Sequence, residues 1–184
     1  MAQTQMHAVD FLTGQHDEVR QLLRTTASSS GVNRREAFEA LVRMLAVHET
    51  AEEMVVYPAI RRAGEEGMRI AEARIGEEDR AKKVLVDLER LGPDEAEFVS
   101  LFATFRIDVE AHAASEEREV FPLLERMKDD TELRKMATAV QAAERIAPTH
   151  PHKLAPESAA GNLVVGPFVA VIDRVRDAIR DATR

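Results

Sequence analysis

The chain has 184 residues, 45% of them hydrophobic and 32% charged, with a net charge of −8, which suits one helical or globular domain with a substantial core and not a disordered polymer. That acidity, with Lys and Arg dispersed along the chain, argues against nucleic acid and anionic membrane surfaces as partners. The absence of cysteine excludes disulfides, iron–sulfur clusters, thiolate zinc sites and cysteine nucleophiles, so any metal must be held by nitrogen and oxygen.

The N-terminus, MAQTQMHAVDFLTGQHD, has neither a basic start nor a continuous apolar stretch. No run approaches the roughly 18 to 20 apolar residues of a membrane span, and a cytoplasmic protein is expected. Apolar residues recur at three and four almost throughout, which predicts an all-α chain. The first helix is expected from about Val9 to Thr26, with Val9, Leu12, His16, Val19 and Leu23 on one face, and SSSG at 28–31 ends it. Asn33 followed by Glu36 reads as a capping box opening the second helix. Its inner face carries Phe38, Leu41, Leu45, His48, Glu52 and Val55 or Val56, and Pro58 should kink or thin its end.

GEEG at 64–67 marks the break before a third helix with Ala71, Ile75, Glu78, Ala81, Leu85 and Leu88 in line. GPD at 92–94 stops that helix and starts a fourth, striped by Phe98, Phe102, Phe105, Val109, His112 and Glu116. A shorter helix is expected over Thr131 to Ile146. The segment PTHPHKLAPESAAGN, 148–162, reads as a surface connector in which His150 and His152 are ordinary linker residues. Beyond it, Phe168, Val171, Ile172, Val175 and Ile179 stripe a last amphipathic helix. The expected architecture is an antiparallel up-down-up-down four-helix bundle over residues 1–129, built from two repeated αα-hairpins. Residues 130–184 are expected to form a C-terminal helical extension packing on the bundle or on a second subunit.

One phrase is written twice: HETAEEMVVYP from His48 to Pro58, and HAASEEREVFP from His112 to Pro122. Within each, His and the first Glu are spaced i, i+4, which puts His48 with Glu52 and His112 with Glu116 on one helix face, the apolar one. The second Glu, 53 or 117, turns away and reads as solvated charge. Buried carboxylates without partners are costly, and a cation best compensates these four polar groups, two carboxylates and two imidazoles. His16, set in the stripe of Leu12 and Val19, is a fifth polar group at the bundle axis. Tyr57 lies half a turn out of phase with His48 and roughly 13 Å along an ideal helix, and with Phe121 in the matching place it reads as packing. His7 reads as a terminal residue outside any site.

HDEVRQLL at 16, HETAEE followed by YP, and HAASEE followed by FP together resemble the hemerythrin-like HHE cation-binding family over roughly residues 9 to 127. The resemblance implies a four-helix bundle around a non-heme di-iron centre, with His16, His48, Glu52, His112 and Glu116 as ligands. The chain departs from the family pattern in the third helix, where RIGEEDRAKKVL supplies no histidine. Alignment by length would place Asp79 opposite His16, but Asp79 shares its face with Glu72, Lys82, Lys83 and Arg90. Glu78 sits in the same apolar frame as His16, between Ile75 and Ala81, and is the expected sixth ligand, with Glu77 as the fallback. Three imidazoles and three carboxylates suit iron or manganese and disfavour calcium, and the resemblance implies two iron ions, oxo- or hydroxo-bridged, with manganese or zinc as substitutes. The expected function is binding or sensing of O2, NO or peroxide by a monomer or homodimer. The alternatives are a di-iron enzyme that decomposes hydrogen peroxide, as a catalase does, or an iron-storage or structural bundle.

Overall fold

Short polar breaks divide the apolar stripes into helices, and the computed structural model, which describes residues 6–147, contains only helical regular structure among them. The connector 148–162, with His150 and His152, and the stripe from Phe168 to Ile179 lie outside the described residues. The first helix, α1, spans Ala8–Ser28. α2, Gly31–Ala51, runs through a π-helical turn, Glu52–Val56, into the short α3, Tyr57–Ile60. α4 spans Glu65–Leu91. α5, Ala96–Ser115, runs through a second π turn, Glu116–Val120, into α6, Phe121–Met127, and α7, Asp130–Glu144, follows. The long helices are joined by only a few residues, so successive ones reverse direction and give the up-down-up-down bundle.

Helix starts differ from the sequence expectation for local reasons. α2 begins at Gly31 and not at Asn33, because Gly31 adopts φ 57 and reverses the chain at once. No side chain caps that helix; the capping box occurs instead at α7, between Asp129 and Glu132. In GEEG only Gly64 lies outside the helix. Gly67 is already inside α4 and packs so close to the end of α3 that an added Cβ would sit 1.8 Å from the Ile60 carbonyl oxygen. Pro58 and Pro122 do not act as simple kinks. Each lies just past a π turn that begins at the glutamate of its phrase, and the wider turn shifts the hydrogen-bond ladder ahead of a residue that has no N–H to give.

The apolar interior forms two clusters separated by a polar layer. One holds Val19, Leu23, Phe38, Leu41, Leu45, Leu88, Phe98, Phe102, Phe105 and Val109. The other holds Leu12, Val56, Tyr57, Ile60, Ala71, Val120, Phe121 and Leu124 together with Leu133, Met136, Ala137 and Val140 of α7. α7 therefore shares core with the bundle, packed on α1 and α2. Along α1 the clusters change over between Leu12 and Val19, along α2 between Leu45 and Ala51, and on either side of Glu78 in α4 between Ala71 and Leu85. The layer between them is where the polar residues of the repeated phrases fall. Among the described residues no helix is long and apolar enough to cross a membrane.

Candidate metal centre

Seven-residue periodicity along α1 keeps His16 on the line of Leu12, Val19 and Leu23, and the helix buries it to 2% exposure. α2 and its π turn supply His48 and Glu52, α5 and its π turn supply His112 and Glu116, and α4 supplies Glu78. Glu52, Glu78 and Glu116 are buried, His48 is buried, and His112 is nearly so. Their donor atoms form two overlapping groups, His16, His48, Glu52 and Glu116, and Glu52, Glu78, His112 and Glu116, with all atoms of a group within 4.8 Å of one another. Glu52 and Glu116 belong to both. All six residues singled out in the sequence thus lie around one point. Asp79 is exposed, and Glu77 points to a ring nitrogen of His112 instead of into the cluster.

Five inward atoms of these groups, His16 Nε2, His112 Nε2, both Glu52 carboxylate oxygens and Glu116 Oε2, lack hydrogen-bond partners. His16 Nε2 lies 3.2 Å from Glu116 Oε2, and His112 Nε2 lies 3.5 Å from the same oxygen, without the alignment of a hydrogen bond. Both oxygens of Glu52 are unpartnered, although His48 Nε2 is 3.3 Å from one of them. Buried polar atoms without partners are rare and costly, and a cluster of nitrogen and carboxylate oxygen atoms facing one space has the chemistry of a divalent-cation site. The donors present therefore fit a metal.

The outer nitrogen of every imidazole, by contrast, is tied. His16 Nδ1 donates to Glu117 Oε1 at 2.9 Å, His112 Nδ1 to Glu77 Oε2 at 2.9 Å, and His48 Nδ1 to Gln15 Oε1 at 3.0 Å. An Nδ1–H donated outward leaves Nε2 as the nitrogen that can ligate, and it fixes the ring plane. Each acceptor is held in turn: Glu117 by Arg20 at 2.8 Å, Glu77 by Arg74 at 2.7 Å, and Gln15 by Glu144 of α7. Glu117, expected as solvated charge, is thus a correction: it holds His16. Its sequence signal was adjacency, since Gln15, Glu77 and Glu117 each stand next to a residue of the cluster and serve a histidine on a different helix.

Tyr57 is a second correction. The π turn adds one residue to the turn after Glu52 and rotates Tyr57 by about 100° relative to an α-helical continuation, which brings its hydroxyl into the polar layer. There it donates to Glu116 Oε1 at 2.8 Å and also contacts Glu78. Phe121, its counterpart, stacks on His16 with ring centroids 5.3 Å apart and an interplanar angle of 19°. Sequence reasoning also missed Glu49, which is buried beside Lys82 at 3.7 Å. Lys82 reaches Glu53 and Glu78 as well, and so neutralises part of the carboxylate charge on that side.

The electrostatics follow from burial and crowding. Burial, then the neighbouring Glu116 and Glu78, push the Glu52 carboxyl well above its ordinary value, and burial with Glu49 pushes Glu78 up to about 10. Burial also raises Glu49 to about 7. Against the burial that would raise it, Glu116 is held down at about 2 by His16 and His112. His48, desolvated and beside His16, is lowered to about 3 and is a neutral imidazole at ordinary pH. A cavity of about 280 Å³ lies against His16, His48, Glu49, Glu78 and His112, is walled by Leu45, Ala81, Val84 and Val109, and reaches the surface between α4 and α5 beside Arg80 and Asp108.

Residues 7–124 match the family described as the hemerythrin HHE cation binding domain. An uncharacterised hemerythrin-like protein of Schizosaccharomyces pombe is 31% identical over 134 residues, which cover 72% of this chain and 66% of that protein, so the chain spans a little less than two thirds of its relative's length. The crystal structure of a hemerythrin HHE cation binding domain-containing protein from Mycobacterium kansasii superposes with a TM-score of 0.68 over 76% of this chain and 86% of that one, at 23% identity, which supports the fold.

Proposed function

The chain belongs to the hemerythrin HHE cation-binding family, and from that premise we propose that its buried cluster holds two iron ions and binds or senses O2, NO or peroxide. The observation that carries this reading is the pair of overlapping donor groups that share Glu52 and Glu116, one completed by His16 and His48 and the other by Glu78 and His112. Six donors in two such groups could hold two cations, with His16 and His48 serving one, Glu78 and His112 the other and Glu52 and Glu116 within reach of both, whereas a single closed tetrahedral ion would use four donors. When bound, such a pair supplies open coordination positions and reversible one-electron chemistry for dioxygen-derived ligands.

The chain's own residues do the rest. Gln15, Glu77 and Glu117 hold the three imidazoles with Nε2 inward, and Tyr57 holds Glu116 and Glu78. The two apolar clusters exclude bulk water above and below the layer, and the cavity between α4 and α5 gives a small ligand a route to it. A second reading, peroxide decomposition by the same pair, is favoured by the carboxylate at Glu78, because an anionic ligand stabilises the oxidised metal and opposes reversible O2 carriage. Anomalous scattering at the iron edge, metal analysis and the absorption of an oxo bridge test the first claim. Iron far below two ions per chain after growth in ample iron would sink it. Oxygen evolution from added peroxide would select the enzyme, and a reversible spectral change on exposure to oxygen without it would select the binding protein.

A further inference from the structure

Of the three histidines in the centre, two are held by carboxylates and one by an amide. Glu117 and Glu77 can only accept, so His16 and His112 have no choice but to present Nδ1–H to them. Gln15 carries both an acceptor oxygen and a donor NH2 at the end of a group that can flip. With Oε1 toward His48, the imidazole must be protonated on Nδ1, and Nε2 faces the centre with its lone pair. With the amide reversed, NH2 would face Nδ1, the proton would move to Nε2, and His48 could not ligate through it.

What fixes the amide lies outside the four-helix part of the fold. Gln15 Nε2 donates to Glu144 Oε1, on the last turn of α7. A carboxylate accepts and does not donate, so Glu144 compels Gln15 to turn NH2 outward and Oε1 inward. α7 is anchored for this by Leu133, Met136, Val140 and Ala143 in the core it shares with α1 and α2. It also lies wholly beyond the residues 7–124 that match the family. We propose that Glu144 is a positioning residue for the centre: by orienting the Gln15 amide it sets the tautomer of His48, and so makes α7 part of the metal site's support.

The inference rests on the proposed metal site for its consequence, but its first test needs no metal. Long-range 15N–1H correlation of the apoprotein reports which ring nitrogen of His48 carries the proton. Wild type should show Nδ1–H. Glu144→Gln keeps the size of the side chain and removes its obligation to accept. It should give a mixture of the two tautomers and weaken iron(II) binding by up to about tenfold, the lower end of what losing an outer hydrogen-bond partner costs. The exchanged pair Gln15→Glu with Glu144→Gln restores a compulsory acceptor next to His48, now held by the amide at 144, and should restore both the Nδ1–H signal and the affinity. A thermal melt of each apoprotein reports folding. A His48 tautomer in Glu144→Gln identical to wild type would overturn the proposal, as would an exchanged pair no better than the single variant. Wild-type protein that shows the Nδ1–H tautomer but takes up no iron would instead count against the metal reading alone.

Discussion

Tyr57 and Phe121 hold matching places in the two repeated phrases, yet one meets a carboxylate and the other an imidazole. The residues they meet, Glu78 and His16, are themselves counterparts on α4 and α1, so the exchange of His for Glu is accompanied by the exchange of Phe for Tyr. A phenol can donate to a carboxylate, whereas a phenyl ring can only pack. Tyr57→Phe should therefore lower iron affinity by about tenfold while leaving the helical circular dichroism intact. Combining it with Glu78→His should bring affinity closer to wild type than either change alone, and the absence of such coupling would show that the two positions are independent. The crowded carboxyls give a pH effect whose sign is set by their direction. Glu52 and Glu78 hold protons more tightly in the folded apoprotein than in the unfolded chain, so their contribution to its stability is complete below the ordinary value of 4.5 and is lost as pH rises, for Glu78 through about 10. Ligation requires the deprotonated forms, so iron(II) uptake at pH 7 should release protons, measurable by calorimetry in buffers of different ionisation enthalpy. Uptake without proton release would mean that both carboxyls are already ionised.

At the scale of the element, apolar periodicity made the long helices legible, and their ends were least so. Asn33 and Glu36 satisfied the pattern of a capping box, but the backbone freedom of Gly31 started α2 earlier and left them inside it. The register of α4 was legible because Ile75 and Ala81 frame Glu78 as Leu12 and Val19 frame His16. Glu78→Ala should reduce iron per chain or shift the oxo-bridge absorption, and Asp79→Ala, on the exposed face, should change neither. The reverse result would mean that α4 is turned by one residue. The π turns were not legible. HETAEEMVVYP read with a constant 100° per residue puts Tyr57 out of phase, and only the widened turn from Glu52 to Val56 brings its hydroxyl to Glu116.

Across the whole molecule, two αα-hairpins meet so that the polar layer of each lies at the same height between two apolar clusters. Gathering Glu49, Glu52, Glu78 and Glu116 there costs stability unless a cation compensates, so removal of metal by a chelator should lower the melting temperature, and titration with iron(II) should raise it. Each tenfold excess over the dissociation constant adds about 1.4 kcal/mol of stability at a single site. A melting temperature indifferent to iron would mean that the buried charges are already balanced by Lys82 and the histidines. The sequence by itself determined the helices, the bundle, the convergence of His16, His48, Glu52, Glu78, His112 and Glu116 and the exposure of Asp79, because helical periodicity decides which residues share a face and those faces are also the apolar ones. Tertiary structure alone decided what stands behind them. Glu117 with His16, Glu77 with His112, Glu144 with Gln15 and His48, and Tyr57 between two carboxylates are contacts across helices distant in sequence, set by packing height and by the π turns, and no spacing along one helix encodes a partner on another.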